Sequence, residues 1–113
     1  MNGQERQFLL TAAWLFMRHG RRDRALAVCE ALHEADRSDG VAAVALAELL
    51  IEEERNIGEV LEVVRRADIP KELEHAAAVI ETRALRLGGR AAEADARWKR
   101  YLQARKGAER KWI

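Results

Sequence analysis

Cys29 and His33 are four residues apart in a stretch, ALAVCEALHEA, made of good helix formers. On a helix that spacing puts the thiol and the imidazole on one face. Two such ligands could begin a zinc site, but a closed site takes four nitrogen or sulfur ligands. The chain has one cysteine and three histidines, and His19 and His75 fall in other segments. The thiol would be a nucleophile only as thiolate, and an apolar stripe disfavours that form. The expectation is a packed cysteine beside a half-exposed histidine, with no metal and no cofactor. Glu52, Glu53 and Glu54 form an acidic run, and paired carboxylates can move protons. Consecutive helical positions diverge, however, so these do not converge on a substrate. They read as a solvated helix end near Arg55, with a contact to a basic partner as the alternative. A glycine-rich phosphate loop, a Ser-His-Asp set and an H-E-x-x-H motif are all missing from the sequence. No enzyme is expected.

Arg18, Arg21, Arg22 and Arg24 cluster around HGRRDRAL, a pattern a helix-turn-helix nucleic-acid binder could use. Charged residues make up 35% of the chain but nearly cancel, leaving a net charge of +1, whereas nucleic-acid binders carry a basic excess or face. The cluster therefore reads as a solvent-facing turn and helix start, and no nucleic acid is expected as partner. Docking of an acidic protein is the remaining alternative.

The elements that must position these residues are helical. The 113 residues, 49% of them apolar, suit one small core, here assigned to residues 1–107 with a short tail at 108–113. A lone cysteine fits a reducing compartment. The start, MNGQERQFLL, lacks the basic flank of a signal peptide, and no run reaches the ~18 apolar residues of a membrane span. A cytoplasmic location without membrane insertion is expected. Apolar periodicity predicts an all-α fold of six helices, over 4–18, 22–35, 41–53, 57–67, 71–87 and 91–105. Gly20, Gly88-Gly89 and Gly107 mark helix ends. Ser38 or Asp39 caps the third helix, and Pro70 precedes the fifth.

HGRRDRALAVC and GGRAAEADARW align with an offset of 69 residues, matching Gly20 to Gly89 and Ala25 to Ala94. Half that offset is close to the 34-residue helix-turn-helix period of tetratricopeptide (TPR) repeats. Three TPR-like repeats in a short right-handed solenoid are expected. Val60 takes the small-residue position of the middle repeat, Arg55 replaces its turn glycine, and Cys29, Val64 and Trp98 share a larger packing position. In such a stack the first helix of each hairpin lines a concave groove. With repeats beginning at Arg6, Val41 and His75, the groove residues, and candidate partner contacts, are Leu10, Trp14, Met17, Ala45, Leu49, Val79, Arg83 and Arg86. Glu52 and Glu53 lie toward one end. This apolar trough would suit an amphipathic helix. Trp98 is expected to pack inside and Tyr101 to be partly exposed, while the tail Trp112 has no packing explanation.

The opening RQFLLTAAWLFMRHGRRDRALAVCEAL and the ending GGRAAEADARWKRYLQARKG resemble the YscY (SctY) family of type III secretion chaperones. The shared pattern is an FLL…WL helix, a glycine turn, an A…AL helix and a closing helix ending in YL. The likeness spans nearly the whole chain and is weakest in the middle third. It implies a bacterial cytoplasmic chaperone, at the periphery of the secretion apparatus, that binds a small secreted protein of the YscX (SctX) type in a heterodimer. The pair would then engage an export gate protein of the YscV (SctV) type. The alternatives are a TPR chaperone for another type III client, a needle subunit or a translocator, and a helical nucleic-acid-binding regulator.

Overall fold

The computed structural model describes residues 1–53 and 56–110. Glu54, Arg55 and residues 111–113, among them the expected turn position of the middle repeat and Trp112, lie outside the described residues. Within these bounds the chain is all-helical. Its helices are α1 (Gly3–Arg18), α2 (Arg22–Ala35), α3 (Gly40–Glu52), α4 (Ile57–Arg66), α5 (Glu74–Leu87) and α6 (Ala91–Arg110), with a 3₁₀ turn at Lys71–Leu73 leading into α5.

Local chemistry sets most of these bounds. The Asn2 side chain accepts the Glu5 amide at 2.8 Å and starts α1. Asp39 accepts from Ala42 and starts α3, and Asn56 accepts from Gly58 and starts α4. These caps satisfy amides that the first helical turn leaves without partners. Gly20 and Gly89 adopt φ of 72° and 75°, a left-handed conformation open to glycine at no steric cost. They turn α1 into α2 and α5 into α6. Gly107 behaves differently. The expected stop there does not occur, because α6 runs on to Arg110 and the expected 107/108 boundary falls inside a helix. An exposed mid-helix glycine costs only about 1 kcal/mol, and its flanks, QARK and AER, are strong helix formers.

Each helix packs on its neighbour in sequence, and α3 packs on α5 as well. Helix α3 is the centre of the core. Nine of its thirteen residues are buried, as expected of a helix that is apolar nearly all round. Ala25, Val60 and Ala94, spaced 35 and 34 residues apart, are each 0% exposed, so the small-residue positions of α2, α4 and α6 all sit against neighbouring helices. The two longer links lie side by side. The Asp68 amide donates to the Ser38 carbonyl at 2.8 Å, and Asp39 and Asp68 form an isolated parallel bridge. This contact places the starts of α3 and α5 next to each other.

Candidate partner-binding surface

Helix α1 packs on α2, and its first turn is tied to α3 by one ion pair. Arg6 Nε donates to Asp39 Oδ2 at 2.6 Å and Arg6 Nη2 donates to Oδ1 at 3.1 Å. The guanidinium is the main reason the Asp39 carboxyl is held below its usual range. The stabilisation from this pair is therefore present above pH ~4 and is lost as pH falls through the depressed value. Beyond Arg6, an open depression of about 440 Å³ separates α1 from α3, lined by Leu10, Trp14 and Val41 with Gln7 and Thr11 at its edge. Trp14 is 53% exposed, and the Arg18 guanidinium sits 5.2 Å from its ring centroid.

The eight groove residues expected from sequence fall into four groups. Leu10 and Trp14 meet in the depression. Met17 and Ala45 are half-buried and pack against the core. Val79 is half-buried on α5, where Arg83 and Arg86 are exposed; Arg86 pairs with Asp95 at 3.2 Å. Leu49 is a correction, because at 2% exposure it is one of the largest fully buried side chains. The accessible stripe of α3 is instead Val41, Ala45, Glu48 and Glu52, the i, i+4, i+7, i+11 face. Sequence reasoning missed Val41 because an almost wholly apolar helix gives no periodic signal for which face is outside. Glu52, expected at the groove end, forms an ion pair with Arg22. Glu53 is exposed. In the arginine cluster, Arg24 lies 6.0 Å from the Phe16 ring centroid, so Arg22 and Arg24 both contact other parts of the chain.

Cys29 is fully buried, and burial, with a smaller push from Glu30, raises its thiol to about 11 from an ordinary 9.0. His33 lines a cleft of about 360 Å³ between α2 and α4 with Glu30, Glu34, Glu59 and Glu62. Its Nδ1 is buried and without a hydrogen-bond partner among the described residues. Burial first, then Arg37, lowers its affinity for a proton. Among the described residues, no three His, Cys, Asp or Glu side chains converge as metal ligands would.

The Cys29 thiol gives a pH prediction. Its proton is held more tightly folded than unfolded, so the stabilisation is complete below pH ~9 and is lost as pH rises toward ~11. Urea unfolding at pH 10.5 should show roughly 2 kcal/mol less stability than at pH 8. Cys29→Ala should remove most of that difference. The same alkaline loss in the variant would exclude Cys29 as its source.

At the C-terminal end of the chain, His75, Trp98 and Tyr101 form a ring cluster. The His75–Trp98 and His75–Tyr101 centroids are 6.0 and 5.6 Å apart in edge arrangements. His75 Nδ1 and the Tyr101 hydroxyl are 3.2 Å apart. Both Trp98 and Tyr101 are half-buried, so the cluster anchors the start of α5 to α6. No helix among the described residues is long and apolar enough to cross a membrane. Compared with known proteins, the chain matches no family model, no curated relative and no solved structure.

Proposed function

We propose that this protein is a three-repeat TPR-type chaperone, not an enzyme, that holds an apolar helical segment of a small partner in the depression between α1 and α3. The observation that carries this reading is Trp14, 53% exposed at the wall of an open trough it shares with Leu10 and Val41. A tryptophan left in water beside two aliphatic side chains is the kind of anchor that dominates binding energy once a partner covers it. The repeat reading is supported by helix spacing. Helices α2, α4 and α6 begin at Arg22, Ile57 and Ala91, and α3 and α5 begin at Gly40 and Glu74, all close to the 34-residue period.

The sequence resemblance names the partner. In a YscY-like chaperone it is a YscX-like secreted protein, bound as a heterodimer in the bacterial cytoplasm, and the pair would then meet a YscV-like export gate protein. A needle subunit or a translocator presenting an amphipathic helix would use the same trough.

Co-expression with the neighbouring reading frames, followed by affinity capture and mass spectrometry of the complex, tests the proposal. A secretion-system client should co-elute with the chain. Trp14→Glu, alone and with Val41→Glu, should weaken that complex by at least about a hundredfold, a hot-spot loss of roughly 3 kcal/mol. Its effect on melting should stay within about 1 kcal/mol, because both side chains are exposed. Undiminished capture by the double variant would remove the trough from the mechanism. Capture of no secretion protein by the wild type would remove the chaperone reading.

A further inference from the structure

We infer that a second cleft, over α5 between α4 and α6, is a docking site for a protein segment that carries an apolar anchor flanked by aspartate or glutamate. The cleft is about 590 Å³, with Val64, Ala67 and Ile69 on one side and Tyr101 and Ala104 on the other. That volume is in the range that takes ligand-sized groups, and these side chains suit an apolar one.

The charge in this cleft is out of keeping with a purely structural role. Glu81, on its floor, is 7% exposed. Its Oε2 is 3.2 Å from Arg65 Nε and its Oε1 is 3.3 Å from Arg97 Nε. One repeat earlier, 34 residues back, the corresponding positions are Ala47 and Val63, both buried and apolar. Packing of this type is thus met elsewhere in the same molecule without a buried ion pair. Desolvation makes such pairs neutral or unfavourable beside well-packed apolar residues, so stability does not account for the pair. What it does is place two guanidinium groups at the cleft. Arg65 Nε donates to Glu81 Oε2, while Arg97 Nε lies at ion-pair distance from Oε1 but is buried without a hydrogen-bond partner among the described residues. A carboxylate is the group that accepts from guanidinium donors.

The lining carries three arginines, Arg65, Arg97 and Arg100, against two glutamates, the buried Glu81 and the exposed Glu74, so its balance is positive. Arg100 also lines the cleft, is exposed and has no ion pair among the described residues. From Arg97 to Lys106 the chain carries five basic residues and no acidic one. The preceding cleft, between α2 and α4, has the opposite character, with four glutamates against Arg37 and Arg66. An acidic segment is therefore drawn to one cleft and repelled from the other. This site is separate from the trough that holds Trp14, since the two share no lining residue. It stands or falls without the chaperone reading.

The test is fluorescence anisotropy at low salt with four probes: a short labelled peptide of glutamates around two leucines, its lysine counterpart, duplex DNA, and phosphatidylserine vesicles. The full chain should bind the glutamate peptide, and salt should weaken the binding. Arg100→Glu, an exposed change, should weaken it at least about tenfold by removing and reversing one charge-assisted contact. Glu81→Ala with Arg97→Val installs the residues of the preceding repeat. This double variant should melt no lower than the wild type and also lose the peptide. Trp14→Glu should bind the peptide as the wild type does. Absence of glutamate-peptide binding, equal binding by Arg100→Glu, or preference for the lysine peptide, DNA or vesicles would each overturn the proposal.

Discussion

Gly40→Ala should lower the melting midpoint by roughly 12 °C, from a destabilisation of about 3 kcal/mol. Gly40 is the first residue of α3, where alanine would ordinarily be the better helix former. The link after α4 reverses that preference. A Cβ on Gly40 would press against the backbone carbonyl oxygen of Asp68 and lie 2.6 Å from Pro70 Cδ. Neither group is the free end of a flexible side chain. Relief would have to separate the two links and break the 2.8 Å hydrogen bond from the Asp68 amide to Ser38. Because α3 contacts α2, α4 and α5, such a shift would loosen the middle of the stack. Gly107→Ala is the internal comparison. A Cβ there meets nothing within 4 Å, and alanine in an exposed helix should raise stability by about 0.5–1 kcal/mol. Thermal unfolding followed by circular dichroism measures both. A Gly40→Ala protein as stable as the wild type would mean that the two links are not in contact in solution.

Leu49→Ala should reduce stability by about 3–4 kcal/mol and leave partner binding unchanged at temperatures where the variant is folded. Leu49 is 2% exposed and Leu50 beside it 1%, and both belong to the central cluster with Leu46, Val60 and Leu85. Truncation leaves a cavity that packed helices fill only in part. Trp14→Ala should do the reverse, with little change in stability and a large loss of partner. The pair of variants separates core from surface on helices whose groove positions look alike in sequence. If Leu49→Ala melts like the wild type but fails to hold the partner, Leu49 faces the trough and the side of α3 assigned to the core is wrong.

Much of the helical plan was legible in the residues. The predicted ranges for α1 and α2 match the structure to within a residue, because their ends carry strong local chemistry: Gly20 with positive φ at one boundary and a short polar link at the other. The offset that matched Gly20 to Gly89 and Ala25 to Ala94 corresponds to two left-handed turns and two fully buried alanines. Arg22 and Arg24 show where local reading runs out. Both are exposed, as the reading of a solvated basic turn expected, but spacing did not give their contacts: one meets Glu52, thirty positions away, and the other lies near Phe16 on the preceding helix.

The sequence by itself determined that the chain folds as helices, where most of them begin and end, and which small residues face a neighbour. Those properties depend on caps, glycine torsions and 3.6-residue periodicity, all of which act within a few positions. Tertiary structure alone decided the rest. It put Leu49 inside and Val41 outside, because an apolar helix has no intrinsic outer face until other helices surround it. It also brought Arg65 and Arg97 from two different helices onto one buried carboxylate, Glu81. Such a site depends on how helices are placed against each other, and spacing along the chain does not encode that placement.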